Sequence, residues 1–378
     1  MPTIHLSTLA IFAVVPVLGF LIFIHELGHF LAAKWMGVRV LEFGFGYPPR
    51  LAKLFTRNGV DYTLNWLPFG GFVRMAGEDG DDDDPHALPN VAAWRRIIVM
   101  VAGPTMNLLT AVVIFAILMM AGVPTLKSGV NPESFPVQIE AVAPDSPAQQ
   151  AGLKPGDIII AINGENVTGI QSVVKTINDN AGADVTLSLK RGDETITTRL
   201  RPRLPEEIPA GQGATGVQIG PYLPDDAIEV VHYNPIRALV GGVKQTWDTT
   251  VLMIVGLVEL FRGWLSPSVP SPEGGVGGLV AIGRITAEVA KEGWRNLFNL
   301  AAFLSINLGI LNLLPIPALD GGRISFALAE LISRRRIPPE KEALVHMAGF
   351  IILVGLMIIV TFMDISNWIA GKPPIPGG

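Results

Sequence analysis

The stretch Leu18-Gly-Phe-Leu-Ile-Phe-Ile-His25-Glu26-Leu-Gly-His29-Phe-Leu31 decides the fold class. It closes an apolar run from about Leu6 to Leu31, long enough for one helix to cross a hydrocarbon core roughly 30 Å thick. The run has no basic n-region and outlasts the apolar core of a secretory leader, so it is expected to stay attached as a membrane helix. Two histidines and a glutamate near its end are costly in lipid unless something there uses them.

On a helix, positions four apart share a face, so His25 and His29 can bind one ion. Glu26 sits beside them, where a base would activate water at that ion. The pattern predicts one Zn2+ per chain and hydrolysis of peptide bonds. A catalytic zinc usually takes three protein ligands. His5, His86, His232 and His346 lie at the terminus, in an acidic loop, in a linker and at the opening of the last helix, and none belongs to a second such pattern. Asp320 is the better third ligand, where an apolar helix breaks at Pro315 and Pro317 and Gly321 and Gly322 follow. Its other reading is a helix N-cap.

Working outward, three further apolar segments read as spans: about Ile97–Met120, Trp294–Leu314 and Leu344–Phe362. Charged residues make up 16% of the 378 and mean hydropathy is +0.44, against about 25% charged in average soluble chains. There is no cysteine, which excludes disulfides, thiolate metal ligands and thiol catalysis. No basic patch with interleaved aromatics supports nucleic-acid binding. Residues 238–261 are apolar but broken by Lys244, Asp248 and Glu259, so an amphipathic helix on the membrane surface is expected there.

The polar parts differ in character. Asp61-Tyr-Thr-Leu-Asn-Trp-Leu-Pro-Phe-Gly-Gly-Phe-Val-Arg-Met75 reads as strands joined by a turn at the proline and glycines. Residues 124–205 alternate as a compact β-rich domain, and 206–236 read as an irregular connection rich in Pro and Gly. The acidic run at Asp79 and Asp81–Asp84 reads as a solvated loop. Four domains are expected: a membrane catalytic region 1–123, the β-rich domain 124–205, a linker and amphipathic region 206–293, and a second membrane catalytic region 294–378. Lys34, Arg39, Arg50, Lys53 and Arg57 follow the first span, and Arg334, Arg335, Arg336 and Lys341 precede the last. Both connections are therefore expected in the cytoplasm, with the β-rich domain and both termini outside.

These residues resemble the site-2 protease family of intramembrane zinc metalloproteases, in its bacterial RseP-type branch. The resemblance rests on His25-Glu26-x-x-His29, on Gly103-Pro104 with Asn107, on Asn312-x-x-Pro315 and on Leu319-Asp320-Gly321. The soluble insert is similar to a PDZ domain through Gly152-Leu153-Lys-Pro-Gly156-Asp157 and Asn163-Gly164, although some members carry two in tandem. The resemblance implies a polytopic α-helical membrane protein of about four transmembrane helices, with a membrane-associated β element at Gly70, Gly71, Phe72 and Val73 and an inserted PDZ-like domain. It implies Asp320 as third ligand, with Asn107, Asn312, Pro315 and Gly321 supporting the site or the substrate. It implies a bacterial cytoplasmic membrane and single-span substrates, such as anti-sigma factors trimmed by a site-1 type protease, or remnant signal peptides. Two rival classes stand beside it: a transporter, against which the few spans and lack of internal repeats argue, and a PDZ-based peptide-binding scaffold.

Overall fold

In the computed structural model, residues 14–78, 83–209, 212–265 and 278–370 are described. The start of the first apolar run, most of the acidic loop, residues 266–277 with Gly274, Gly275 and Gly277, and the C-terminal tail lie outside them. The chain forms two compact units, one from the described parts of 1–121, 232–257 and 276–374, the other from those of 122–231 and 258–275.

The first unit begins with α1 (Val14–Met36), followed by two long antiparallel strands, β1 (Val40–Arg57) and β2 (Val60–Met75), and by α2 (Ala93–Ala121). The turn between the strands is Asn58-Gly59, both at positive φ, the two-residue hairpin signal of an Asn-Gly pair. This corrects the sequence reading, which found no strand before residue 61 and put a turn at Pro68–Gly71; β2 runs through those residues. The strands also curl. Residues 42–45 of β1 pair with 61–64 on one side and with 71–74 on the other. The end of β2 thereby becomes an outer edge, paired with β1 on one side and with no other strand among the described residues.

The second unit holds β3 (Val123–Leu126), β4 (Val137–Val142), the short helix α3 (Pro147–Gln150), β5 (Ile158–Ile162), β6 (Glu165–Asn166), α4 (Ile170–Asp179), β7 (Val185–Arg191), β8 (Glu194–Leu200), β9 (Val217–Pro221) and β10 (Ile228–Val231). The sheet order is β8-β7-β5-β4-β9, with β6 on β5, and β3 pairs separately with β10. Val137, Ile139, Ile159, Leu187 and Leu189 form its apolar core. The connection expected to be irregular over 206–236 thus contains two strands. Val217 and Ile219 pack on that core and β9 bonds to β4, so tertiary pairing outweighs the local Pro and Gly content.

The first unit resumes with α5 (Pro235–Leu265) as far as Leu257, and continues with α6 (Leu279–Lys291), α7 (Trp294–Leu313), α8 (Asp320–Ser333) and α9 (Pro339–Ile369). Four helices, α1, α2, α7 and α9, are long and apolar enough to cross a membrane, which makes this a multi-pass membrane protein. The 31-residue α5 is unbroken but is not among them. Gly242 brings it against the Val112 carbonyl and Ala116 of α2. Sequence reading missed α6, because it begins straight after a glycine-rich stretch.

Candidate metal centre and its cleft

Helix α1 supplies the first donors. His25 and His29 are 6% and 4% exposed and stand one turn apart. Helix α2 runs antiparallel against them, and three of its residues spaced by four meet the imidazoles. His29 Nδ1–H donates to the Val99 carbonyl at 2.8 Å, which fixes the tautomer and leaves Nε2 with a bare lone pair. Pro104, in the same turn, has no N–H to give the ladder. Gly103 leaves room for the rings: a Cβ there would collide with His29 Nε2 and lie 2.9 Å from His25 Cε1.

Asn107 is fully buried, its amide nitrogen Nδ2 lies 3.2 Å from His25 Nδ1, and its Oδ1 is buried without a partner. The two ends of an amide are nearly indistinguishable in shape. With the oxygen turned toward the ring, His25 Nδ1–H donates to it and Nε2 is free as a ligand. Ser305 Oγ of α7 donates to the Asn107 carbonyl at 2.8 Å and pins this turn.

Asp320 arrives from the far end of the sequence. Leu319 occupies the N-cap position of α8 and Asp320 the first turn. Its carboxylate does not cap the helix; Oδ2 lies 3.1 Å from His25 Nε2 and 3.3 Å from His29 Nε2. The two Nε2 atoms are 3.1 Å apart. Donors bound tetrahedrally to zinc at ~2.0–2.1 Å are roughly 3.3 Å from one another, so this donor set fits a small divalent cation. Gly321 lets the helix start close to its loop, because a Cβ there would run into the Leu313 and Leu314 carbonyls.

The three donors face a cavity of about 500 Å³. Glu26, Tyr47, Phe72, Val73, Asn312 and Arg323 are on its wall. Gly71 packs against the Glu26 Cβ, where an added Cβ would be 3.0 Å away, and Gly70, at φ +79°, fits against Ile22. Asn312 donates to the Leu308 carbonyl at 3.0 Å. Pro315 is exposed on the loop before Asp320. Arg323 donates to Glu78 at 2.7 Å, tying the end of β2 to α8. Sequence reading overlooked Arg323, Glu78 and Tyr47. The charge one turn after Asp320 was the available signal, since an ionised group beside apolar spans needs a partner.

In the second unit, Gly152 and Gly156 turn at positive φ and Leu153 enters the core. Arg191 grips Asp157 with two hydrogen bonds of 2.6 and 2.7 Å and holds its carboxyl below the usual carboxylate range. This motif closes a corner of the sheet.

The profile of peptidase family M50 matches residues 13–356. The chain belongs to peptidase family M50. A Clostridium perfringens protein named "Putative zinc metalloprotease" is 34% identical to this M50 peptidase, over 91% of this chain and 95% of that protein. The regulator of sigma-W protease RasP of Bacillus subtilis is 31% identical, over 94% and 98%. Zinc metalloprotease RasP of Oceanobacillus iheyensis is 29% identical, over 92% and 97%. Among solved structures, the PDZ domain of the SdrC-like protein of Listeria monocytogenes aligns at 26% identity with a TM-score of 0.19, covering 26% of this chain and 94% of that one. This M50 peptidase is a metalloendopeptidase with a His-His-Asp cluster able to hold a metal ion.

The close approach at Gly103 makes a prediction. Gly103→Ala should weaken metal binding by about 10–100-fold, the cost usual for disturbing what orients metal ligands. The methyl group must displace the His29 ring or separate α1 from α2. Equilibrium zinc titration against a competing chelator measures it, and parent affinity in Gly103→Ala would refute the packing argument.

Proposed function

We propose that this M50 peptidase is a zinc-dependent intramembrane endopeptidase that cuts single-span membrane proteins in or near their spans. The observation that carries the reading is the convergence of His25 Nε2, His29 Nε2 and Asp320 Oδ2, all within 4.8 Å of one another, beside a cleft that also contains Glu26. Zinc held there would polarise the scissile carbonyl and lower the pKa of water. Glu26 takes the proton from the attacking water and delivers it to the leaving amine. Asn107 and the Val99 carbonyl keep the imidazoles in their binding tautomers. Asn312, on the cleft wall, is a candidate grip for the substrate backbone.

A helical substrate hides its carbonyls in its own hydrogen bonds, and unpaired groups at membrane depth are costly, so the span must unwind where it is cut. The outer edge of β2 at Gly71, Phe72 and Val73 offers new bonds by strand addition. Membrane-bound anti-sigma factors already trimmed by a site-1 type protease are the proposed substrates, supported by the name of the Bacillus subtilis relative. The proposed location is a bacterial cytoplasmic membrane, with the strand-bearing connection of 37–92 in the cytoplasm and the PDZ-like insert outside.

The direct test is metal removal. Purified protein should hold about one zinc per chain, as a three-ligand catalytic site would. A chelator should stop cleavage of a single-span substrate, and added zinc should restore it. Cleavage indifferent to chelation would overturn the reading.

The insert is proposed to exclude substrates with bulky external domains. β3 and β10 pair at Leu126 and Ile228, so residues 127–227 can be excised and the ends joined by a short turn without orphaning β9. The excised enzyme should cut untrimmed substrates that the parent refuses, read as product from matched long and trimmed substrates. Unchanged discrimination in a folded variant would assign the insert to peptide capture. An apolar cleft of about 280 Å³ lined by Leu153, Val173, Ile177, Ala214 and Ile219 favours that second role.

A further inference from the structure

The carboxylate of Asp320 is only as well placed as the loop that presents it, Leu314–Leu319 between α7 and α8. One residue of this loop is in an uncommon conformation. Ala318 has φ +75°, the left-handed region that a residue with a Cβ rarely enters without something to hold it there. The holder is on the last span. His346 of α9 accepts a hydrogen bond at Nδ1 from the Ala318 N–H at 2.9 Å. Accepting at Nδ1 puts the ring's own proton on Nε2, so this histidine acts as a neutral acceptor.

The surroundings fix that ring and leave it little choice. Its side chain is 13% exposed and packs on Phe326 of α8, with ring centroids 5.6 Å apart. Gly322, two residues after Asp320, comes close enough that a Cβ would lie 3.1 Å from His346 Cε1. Gly349, on the next turn of α9, receives Pro317 so closely that a Cβ would overlap it. One face of α9 therefore clasps the loop at Pro317 and Ala318 and the start of α8 at Gly322. Asp320 lies between the clasped points.

We infer that His346 is a positioning residue for the metal centre: by holding Ala318 in its left-handed conformation, it sets the direction from which Asp320 meets His25 and His29. It touches neither metal ligand nor substrate. The inference rests on Asp320 being a ligand, as proposed above. Without the acceptor, Ala318 relaxes to negative φ and the carboxylate two residues on swings out of the donor triangle.

The test compares full-length variants. His346→Phe keeps an aromatic ring against Phe326 and removes the acceptor. His346→Asn keeps an acceptor near the Nδ1 position. Ala318→Gly, added to His346→Phe, removes the conformational penalty that the histidine offsets, since glycine enters positive φ freely. The readouts are the rate of zinc loss to a chelator, and kcat and KM for a single-span substrate. His346→Phe should lose zinc faster and lower kcat by about 10–100-fold, with KM within about threefold of the parent. His346→Asn, and the Ala318→Gly double variant, should both return toward parent values. A folded His346→Phe with parent zinc loss and kcat overturns the inference, as does a His346→Asn variant damaged equally. If His346→Phe does not fold, recovery of folding by added Ala318→Gly supports it, and failure to recover overturns it. Asp320→Asn is run alongside. If that variant keeps zinc, the ligand assignment falls; if it loses zinc while His346→Phe does not, only the positioning role falls.

Discussion

Glu26→Gln will leave a chain that folds, holds its zinc and cuts substrate at a rate near background. The carboxamide keeps the size of the carboxylate, so the packing of Gly71 against the Glu26 Cβ is undisturbed. The three donors come from residues 25, 29 and 320 and are untouched. What disappears is the group proposed to accept the proton from water and pass it to the leaving amine. Loss of a positioned general base typically costs about 10²–10⁴-fold in rate. Zinc content per chain and single-turnover cleavage in detergent separate the two effects. Turnover within about tenfold of the parent would place the base elsewhere.

Asp320→Asn strikes the metal, and its signature is the reverse. An amide oxygen is a poorer, uncharged ligand, and two imidazoles alone leave the site a donor short. Zinc affinity should fall by more than the ~10–100-fold that follows from disturbing outer partners, and cleavage should fall with it. Adding zinc should recover part of the activity, which it cannot do for Glu26→Gln. The same change also discriminates the ligand role from a helix cap. Leu319, not Asp320, occupies the N-cap of α8, so helix content and thermal stability should barely move. A variant that keeps its zinc but loses stability would show that the carboxylate serves the helix.

Much of this protein is legible along the chain because a membrane makes local sequence decisive. Spans must satisfy their own backbone, so apolar length alone finds α1, α2, α7 and α9. His25, Glu26 and His29 are readable because helical periodicity brings them onto one turn. Asp320 was reachable because an acidic residue between paired prolines and glycines, after an apolar span, has few other uses. The errors have physical causes too. Asn58-Gly59 announces a hairpin, but Pro48 and Pro49, with Arg50, Lys53 and Arg57 after them, hide β1. β9 and β10 are short, and their strand character comes from partners β4 and β3, far away in sequence.

By itself, then, the sequence determined the spans, the His25-Glu26-x-x-His29 turn of α1 and the compact insert, since each depends on residues a few positions apart. Only the tertiary structure decided how the centre is assembled. It brings Asp320 across 295 positions to His25. It turns Asn107 onto a histidine instead of the cleft, makes Gly103 the space that the imidazoles occupy, and turns His346 from the opening of a helix into a partner of the Asp320 loop. These are contacts between separate helices, set by which small residues permit close approach and which buried polar atoms must find a partner, and no local pattern encodes such pairings.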